Sequence, residues 1–472
     1  MKIALGIFRS AFYAALVGCM LAGSAFADPV DDCVQRHLKR SNVPGISLAV
    51  LKEGKVIKAK GYGLANLELN VPAAPETVYQ LASVTKQFTA TAVMLLVEEG
   101  KVRLSDPISL HVKGLPAAWT NITVRHLLSM TSGIKDYLGV VQPTVSRQDF
   151  TYERIVELIA DLPLDFEPGE RNRYSNSNYI LLAMLIQSLS GKSYDSFLAE
   201  RVWGPLGMTA TQRDNPADVI PNRAGLYNWR TNKFENIQFL SPTLWNNGDG
   251  GLISTVLDLG KWDAALYTNR ILSSASLEQM WSPQKLTNGE KSDYGFGWVS
   301  GQLRRHRTVG HGGGRPGTAT QITRFIDDRL TVVVLMNGPG NPQRLAIQVA
   351  GQFIPELTIE SLTAQKDPNP ELSGRLKKCL LELADTKDSP ILTDEFRRSF
   401  GNSRRRFAAL QNDTRDMKSF TFVTSESPSA TRRQGVEIER VCYYRIATSE
   451  EPRFYAIELT KDNQVGWVDF AD

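Results

Sequence analysis

Two apolar-rich runs, Gly45 to Leu51 and Lys55 to Gly63, flank Glu53-Gly54 in the pattern of a β-hairpin. From Ser83 to Glu99 the period changes. Ala90, Val93, Met94 and Val97 recur at helical spacing and Gly100 supplies a stop, which predicts a helix. From about Val124 to Thr268 the pattern is mostly helical, interrupted by loops rich in Gly, Pro and Asn. Strand patterns return at Tyr294 to Val299, Arg304 to Gly310, Thr318 to Phe325 and Leu330 to Met336, the last two joined by a tight turn at Asp327-Asp328. A helix follows from Pro342 to Phe353. Strands, a long helical insert, then strands predict an α+β domain: one sheet built from both ends of the domain, helices packed on it, and a cleft between sheet and insert.

Beyond this the pattern turns polar and Pro-containing between Ala364 and Glu371, which reads as a linker at 364–371. Helical patterns at Leu372 to Leu383, Asp394 to Phe400 and Arg404 to Gln411 then precede strands at Ser419 to Thr424, Val436 to Ala447, Arg453 to Leu459 and Val465 to Phe470. Residues 372–472 therefore read as a small α+β domain, NTF2-like or cystatin-like in element order, with no motif that assigns it a role.

With 472 residues, 42% hydrophobic and 22% charged, the chain suits one large domain, 28–363, and one small one. The formal net charge of +4 is small, and the cluster Arg404-Arg405-Arg406 reads as a solvated helix face, so no nucleic-acid partner is expected. Lys2 and Arg9 precede an apolar run from Ala11 to Ala22 that ends at Ala25-Phe26-Ala27. This is the pattern of a signal peptide, 1–27, cleaved before Asp28, so the mature chain is expected to be exported to a bacterial periplasm without a transmembrane anchor. Leu16-Val17-Gly18-Cys19 also looks like a lipoprotein box, but the apolar run continues past Cys19. Of the remaining cysteines, Cys379 and Cys442 share the C-terminal portion and are the pair an oxidising compartment would allow.

A serine becomes a nucleophile when a base takes its proton and hydrogen-bond donors hold the oxyanion that forms. In Ser83-Val84-Thr85-Lys86, residues three apart share a helix face, so Lys86 reaches the Ser83 hydroxyl, and the helix N-terminus turns free N–H groups toward a reacting carbonyl. The pattern alone is weak, since chance supplies about one or two S-x-x-K in such a chain. Ser132-Gly133-Ile134-Lys135 and Ser282-Pro283-Gln284-Lys285 are two more, but neither opens a long apolar helix. Tyr174-Ser175-Asn176 is a second element: a lysine ammonium nearby lowers a tyrosine pKa and makes it a base, and an asparagine amide orients lysine and substrate. His311-Gly312-Gly313-Gly314 is the third, glycines on a strand that let an extended substrate approach.

In this order and setting the three elements resemble the serine β-lactamase and penicillin-recognising enzyme superfamily. They are most similar to the branch of class C β-lactamases, D-alanyl-D-alanine carboxypeptidases, D-aminopeptidases and related esterases. The resemblance covers about Val43 to Phe353 and includes Leu127-Leu128-Ser129-Met130-Thr131-Ser132-Gly133, Phe166-Glu167-Pro168-Gly169, Leu206-Gly207-Met208 and Gly248-Asp249-Gly250-Gly251-Leu252. It implies a β-lactamase/DD-peptidase-like fold, an antiparallel sheet flanked by helices with a helical insert. It also implies Ser83 as acylated nucleophile, Lys86 as its proton partner and Tyr174 as base and acid for the leaving group. Asn176 would orient Lys86 and substrate, His311 and Gly313 would line the substrate strand, and the backbone N–H groups of Ser83 and Gly314 would hold the oxyanion. No cofactor and no metal is expected; the five histidines show no ligand spacing.

His311-Gly312-Gly313 departs from the Lys-Thr-Gly of class C β-lactamases, exchanging a charged lysine for a mostly neutral histidine and losing a hydroxyl. Arg315 is the neighbouring cation that would meet a substrate carboxylate, or else a solvent-facing turn residue. The expected partner is a small-molecule or peptide substrate, with a D-residue peptide or small ester ahead of a penicillin. The alternatives are a class C-like β-lactamase and, from another class, a non-catalytic protein that binds peptidoglycan fragments or a partner.

Overall fold

The computed structural model describes residues 28–140, 150–215, 217–237, 247–358, 364–385, 388–400, 404–427, 432–433, 436–449 and 452–470. The segment read as a signal peptide, Cys19 included, lies outside them, as do the side chains of Arg404, Arg405 and Arg406. A seven-stranded antiparallel sheet carries the large unit. Its strands are β1 (Gly45–Lys52), β2 (Lys55–Asn66), β3 (Val71–Pro72), β4 (Val299–Leu303), β5 (His306–Arg315), β6 (Thr318–Phe325) and β7 (Leu330–Met336), in the order β4-β5-β6-β7-β1-β2-β3. The two ends of the large unit meet at its centre, where Ile46 lies opposite Met336 and Lys52 opposite Leu330.

The central strands are apolar at successive positions because both faces are covered. Ile46, Leu48 and Val50 with Val332, Val334 and Met336 pack beneath α1 (Pro29–Ser41) and a C-terminal helix, Pro342–Ala350. Ala49, Leu51, Val333 and Leu335 face the helical insert from the other side. Each fully buried valine or leucine contributes about 1.5–3 kcal/mol. In the insert, α2 (Thr85–Glu98) is buried on every side from Thr85 to Leu96, and α3 (Asn176–Ser190), closed by Gly191 at φ 68°, packs against it. No helix among the described residues is long and apolar enough to cross a membrane.

Some element bounds differ from the pattern. Helix α1 was not anticipated; Asp28 caps it through the Val30 N–H at 2.9 Å and Pro29 opens it. Tyr294 to Trp298 is not a strand: Gly297 sits at φ 75°, where a Cβ would lie 2.5 Å from the Lys86 carbonyl oxygen, and the strand proper begins at Val299. Arg304 and Arg305 form a two-residue turn at φ 46° and 72°. Strand β5 starts after that turn and runs through the three glycines to Arg315, where their weak strand propensity is made up by the ladder to β6.

In the C-terminal portion Pro370–Ala384 is the first helix, two residues inside the expected linker and capped by Asn369. The run read as one strand from Val436 is broken into Val436–Glu437 and Arg440–Ala447. Its four-stranded sheet packs Tyr444, Ile446, Ile457 and Leu459 against Leu376, Cys379 and Leu380, a core apart from the one around the large sheet. We propose from this separation that 372–472 is a module of its own. Cys379 and Cys442 do not pair: both are buried thiols, and burial pushes Cys379 up to about 12 and Cys442 to about 11.

Candidate active site

The residue ahead of Ser83 is strained. Ala82 holds φ 47°, a left-handed conformation that costs a non-glycine residue about 1–2 kcal/mol. Its surroundings enforce it: Leu81 donates its N–H to the Leu252 carbonyl at 2.8 Å, the Leu81 carbonyl accepts from Thr320 Oγ1 at 2.8 Å, and the Gln80 carbonyl accepts from Thr318 Oγ1 at 3.1 Å. Ser83 therefore lies in a 3₁₀ turn, Ala82–Val84, that leads into α2, rather than at the first position of the helix. Residues three apart eclipse in such a turn, and Lys86 Nζ donates to Ser83 Oγ at 3.1 Å.

Lys86 is fully buried. Its ammonium also donates to Asn176 Oδ1 at 2.8 Å and to the Asp249 carbonyl at 2.6 Å, which uses all three protons. Burial lowers its pKa from 10.5 to about 8, with the carboxyls of Asp249 and Asp136 opposing the fall. Asn176, at the start of α3, passes the contact on by donating Nδ2 to Asp136 Oδ2 at 3.0 Å.

Tyr174 brings its ring to 4.9 Å from Lys86 Nζ and meets Tyr294 edge-on at 6.0 Å, keeping 39% of its surface open. The expected lowering of its pKa is not what the structure shows. Desolvation raises it, a hydrogen bond with Ser83 works the other way, and the ammonium sits over the ring face, with Asp249 and Asp136 adding to the rise. His311 Nδ1 faces the Gly312 carbonyl at 2.6 Å, which assigns the proton to that nitrogen, so Nε2 accepts from Tyr294 OH at 2.9 Å. Burial and the nearby Lys86 lower this imidazole to about 3, so it is neutral at pH 7.

Gly313 is pressed against the nucleophile turn: a Cβ there would lie 2.2 Å from the Leu81 carbonyl oxygen, 2.3 Å from Thr320 Oγ1 and 3.1 Å from Ser83 N. A Cβ at Gly314 would meet nothing within 4 Å. Gly313→Ala is therefore expected to push β5 away from Ser83 and lower kcat/KM by about 10²-fold, the effect of a misplacement near 1 Å. Steady-state kinetics on an ester, with a thermal melt alongside, checks it. Unchanged activity would mean that this contact does not set the site.

Arg315 corrects the sequence expectation on both counts. Its side chain is 6% exposed, donates Nε to Gln80 Oε1 at 2.7 Å and Nη2 to Asp214 Oδ2 at 3.1 Å, and so neither faces solvent nor is offered to a substrate carboxylate. Gln80 Nε2 and Arg223 bind the same Asp214 carboxylate. Asp136, Tyr137 and Asp249 are the residues the sequence reading passed over. Tyr137 OH donates to Asp249 Oδ2 at 3.0 Å. The available signal was an acidic residue between glycines in Gly248-Asp249-Gly250-Gly251; a Cβ on Gly248 would crowd the Tyr179 carbonyl oxygen at 2.9 Å, which explains the glycine before it. Ser132, by contrast, is structural: its buried hydroxyl bonds Asn178, while Lys135 pairs with Asp165.

This sheet and insert, with the three motifs gathered between them, place the chain in the serine β-lactamase and penicillin-recognising class. A family model for beta-lactamases matches residues 30–351, and the chain belongs to that family. It is 34% identical over 300 residues, 60% of this chain, to penicillin-binding protein 4* of Bacillus subtilis strain 168. It is also 34% identical over 186 residues, 39% of this chain, to protein flp of Staphylococcus aureus strain MRSA252. The chain spans 66% and 37% of the length of these relatives. Among solved structures it is similar to D-amino acid amidase from Ochrobactrum anthropi complexed with D-phenylalanine, at 25% identity and TM-score 0.61, over 71% of this chain and 97% of that one. The octameric penicillin-binding protein homologue from Pyrococcus abyssi shares the fold at 24% identity and TM-score 0.60, over 94% of this chain and 97% of that one.

Proposed function

We propose that the chain is an exported hydrolase that forms an acyl-enzyme on Ser83 and acts on D-amino-acid amides, short D-residue peptides or small esters. The observation that carries this is the 3.1 Å contact between Ser83 Oγ and a fully buried lysine. A lysine near pKa 8 exists partly as free amine at neutral pH, whereas Tyr174 keeps its proton. The two pKa directions support the following division of the proton work. Lys86 takes the Ser83 proton as Oγ attacks the substrate carbonyl, and the oxyanion falls to the backbone N–H groups of Ser83 and Gly314. Tyr174 then protonates the departing amine or alcohol and is reprotonated from Lys86. Water releases the acyl group by the reverse relay.

Substrate charge narrows the choice. His311 is neutral and Arg315 is bound to Asp214, so neither of these two β5 side chains presents a free positive charge to a substrate carboxylate. This supports amides and esters over penicillins and peptides that end in a free carboxylate, and agrees with the similarity to a D-amino acid amidase. The test follows D-phenylalanine amide, its L-enantiomer, a nitrophenyl ester and benzylpenicillin with the purified protein, together with intact mass. Turnover of the ester and D-amide, with slow or no penicillin loss, is expected. Fast penicillin hydrolysis without amide turnover would replace this reading with a β-lactamase. Neither turnover nor adduct on any substrate would leave a binding protein.

A further inference from the structure

We propose that Asp249, clamped by Tyr137, is a positioning residue for this reaction: it holds Lys86 in register with Ser83 and supplies the counter-charge for the ammonium that acylation creates. The inference rests on the acyl-enzyme reading. Once Lys86 has taken the serine proton it is a cation with no solvent contact, and a buried cation is costly unless an anion stands close.

The groups facing Lys86 come from several elements. Tyr174, on the loop before α3, and Tyr179, within α3, present rings at 4.9 and 5.6 Å from Nζ. His311 on β5 is neutral and bonded to Tyr294. Asp136 acts through Asn176, one residue removed. Asp249 alone combines a direct backbone contact to Nζ, at 2.6 Å, with a carboxyl on the same residue.

That carboxyl is otherwise hard to explain. The residue is 4% exposed, and its Oδ2 accepts a hydrogen bond from Tyr137 OH at 3.0 Å. Oδ1 is buried without a hydrogen-bond partner among the described residues. Leaving such an oxygen unpaired costs about 1–3 kcal/mol or more, so an apolar residue would serve a purely structural role better. Burial raises the Asp249 pKa to about 6, and the Lys86 charge opposes the rise. Tyr137 donates to the carboxylate and so favours its ionised form.

Removing the negative charge makes Lys86 a weaker base. The limb on which kcat/KM rises with pH, set by Lys86 losing its proton, must then move to lower pH. For Asp249→Asn the expected result is a limb displaced downward by about one pH unit, the usual effect of losing an opposite charge nearby, with a plateau at least tenfold lower. Tyr137→Phe keeps the ring and removes only the donor, so a smaller displacement in the same direction and a plateau about threefold lower are expected.

The experiment is a kcat/KM profile on a nitrophenyl ester from pH 6 to 10 for the whole protein and both variants, with a thermal melt of each. A folded Asp249→Asn with an unmoved limb overturns the proposal, even if activity falls, because loss of packing alone would not shift the profile. If that variant does not fold, Tyr137→Phe decides, and an unchanged profile overturns it. Ser83→Ala run in parallel separates the two ideas: residual hydrolysis there would sink the acyl-enzyme reading, whereas an inactive Ser83→Ala beside an unmoved Asp249→Asn sinks only this inference.

Discussion

Ser83→Ala is expected to reduce ester and amide hydrolysis by about 10⁴-fold or more, the loss typical when a nucleophilic serine is removed and only the oxyanion donors remain. The fold should not register the change. Ala82, not Ser83, carries the positive φ, and the bonds that hold the turn run through the backbones of Gln80 and Leu81. The melting temperature should stay within a few degrees of the parent. Intact mass after exposure to an activated ester gives a second readout, since the acyl adduct should vanish with the hydroxyl. A variant that still turned over would place the nucleophile elsewhere, and Ser132 and Ser282 are poor substitutes because neither lies beside a buried lysine.

Lys86→Met is expected to lower kcat/KM by about 10³-fold or more, within the range for losing a general base, and to leave stability at pH 7 equal or higher. The sign follows from the pKa. The folded value, about 8, lies below the ordinary 10.5, so the unfolded chain binds this proton more readily than the folded one. Below pH 8 the burial cost is felt in full; it shrinks as pH rises from 8 toward 10.5, and then it is gone. At 1.36 kcal/mol per pH unit this is at most about 3 kcal/mol, offset in part because methionine orphans the Asp249 carbonyl and Asn176 Oδ1. Melts at pH 7 and pH 10 check it: the advantage of the variant should be largest at pH 7. A variant that loses stability most at pH 7 would mean that the lysine holds the fold together.

Much of this arrangement was legible in the chain. Apolar runs such as Ile46 to Leu51 and Leu330 to Met336 announce strands because both faces of the sheet are covered, and the order of strands, insert and strands implied a sheet closed by the two ends. Ser83, Lys86, Tyr174, Asn176, His311 and Gly313 do come together. What escaped depends on distances that no local pattern records. The strand pattern ended at Gly310, although the ladder to β6 continues through Gly312, Gly313 and Gly314. Arg315 looked available because its partner, Asp214, is a hundred residues away in sequence. Asp136 carries no motif of its own, Asp249 sat in a family-like segment without an assigned role, and the direction of the Tyr174 pKa is set first by desolvation in the folded site.

The pairing of β1 with β7 also governs how such a chain can fold. A polypeptide emerging from its N-terminus presents the β1–β2 hairpin early, yet the other side of β1 stays unsatisfied until Leu330 to Met336 arrive. Until then β1 is an apolar strand with an open edge, the kind of surface that invites aggregation. Non-local pairing of this sort is slow. Misfolding risk should therefore concentrate in the long interval between the two halves of one ladder, and a chaperone that shields strand edges would be of most use to this protein before β7 reaches β1.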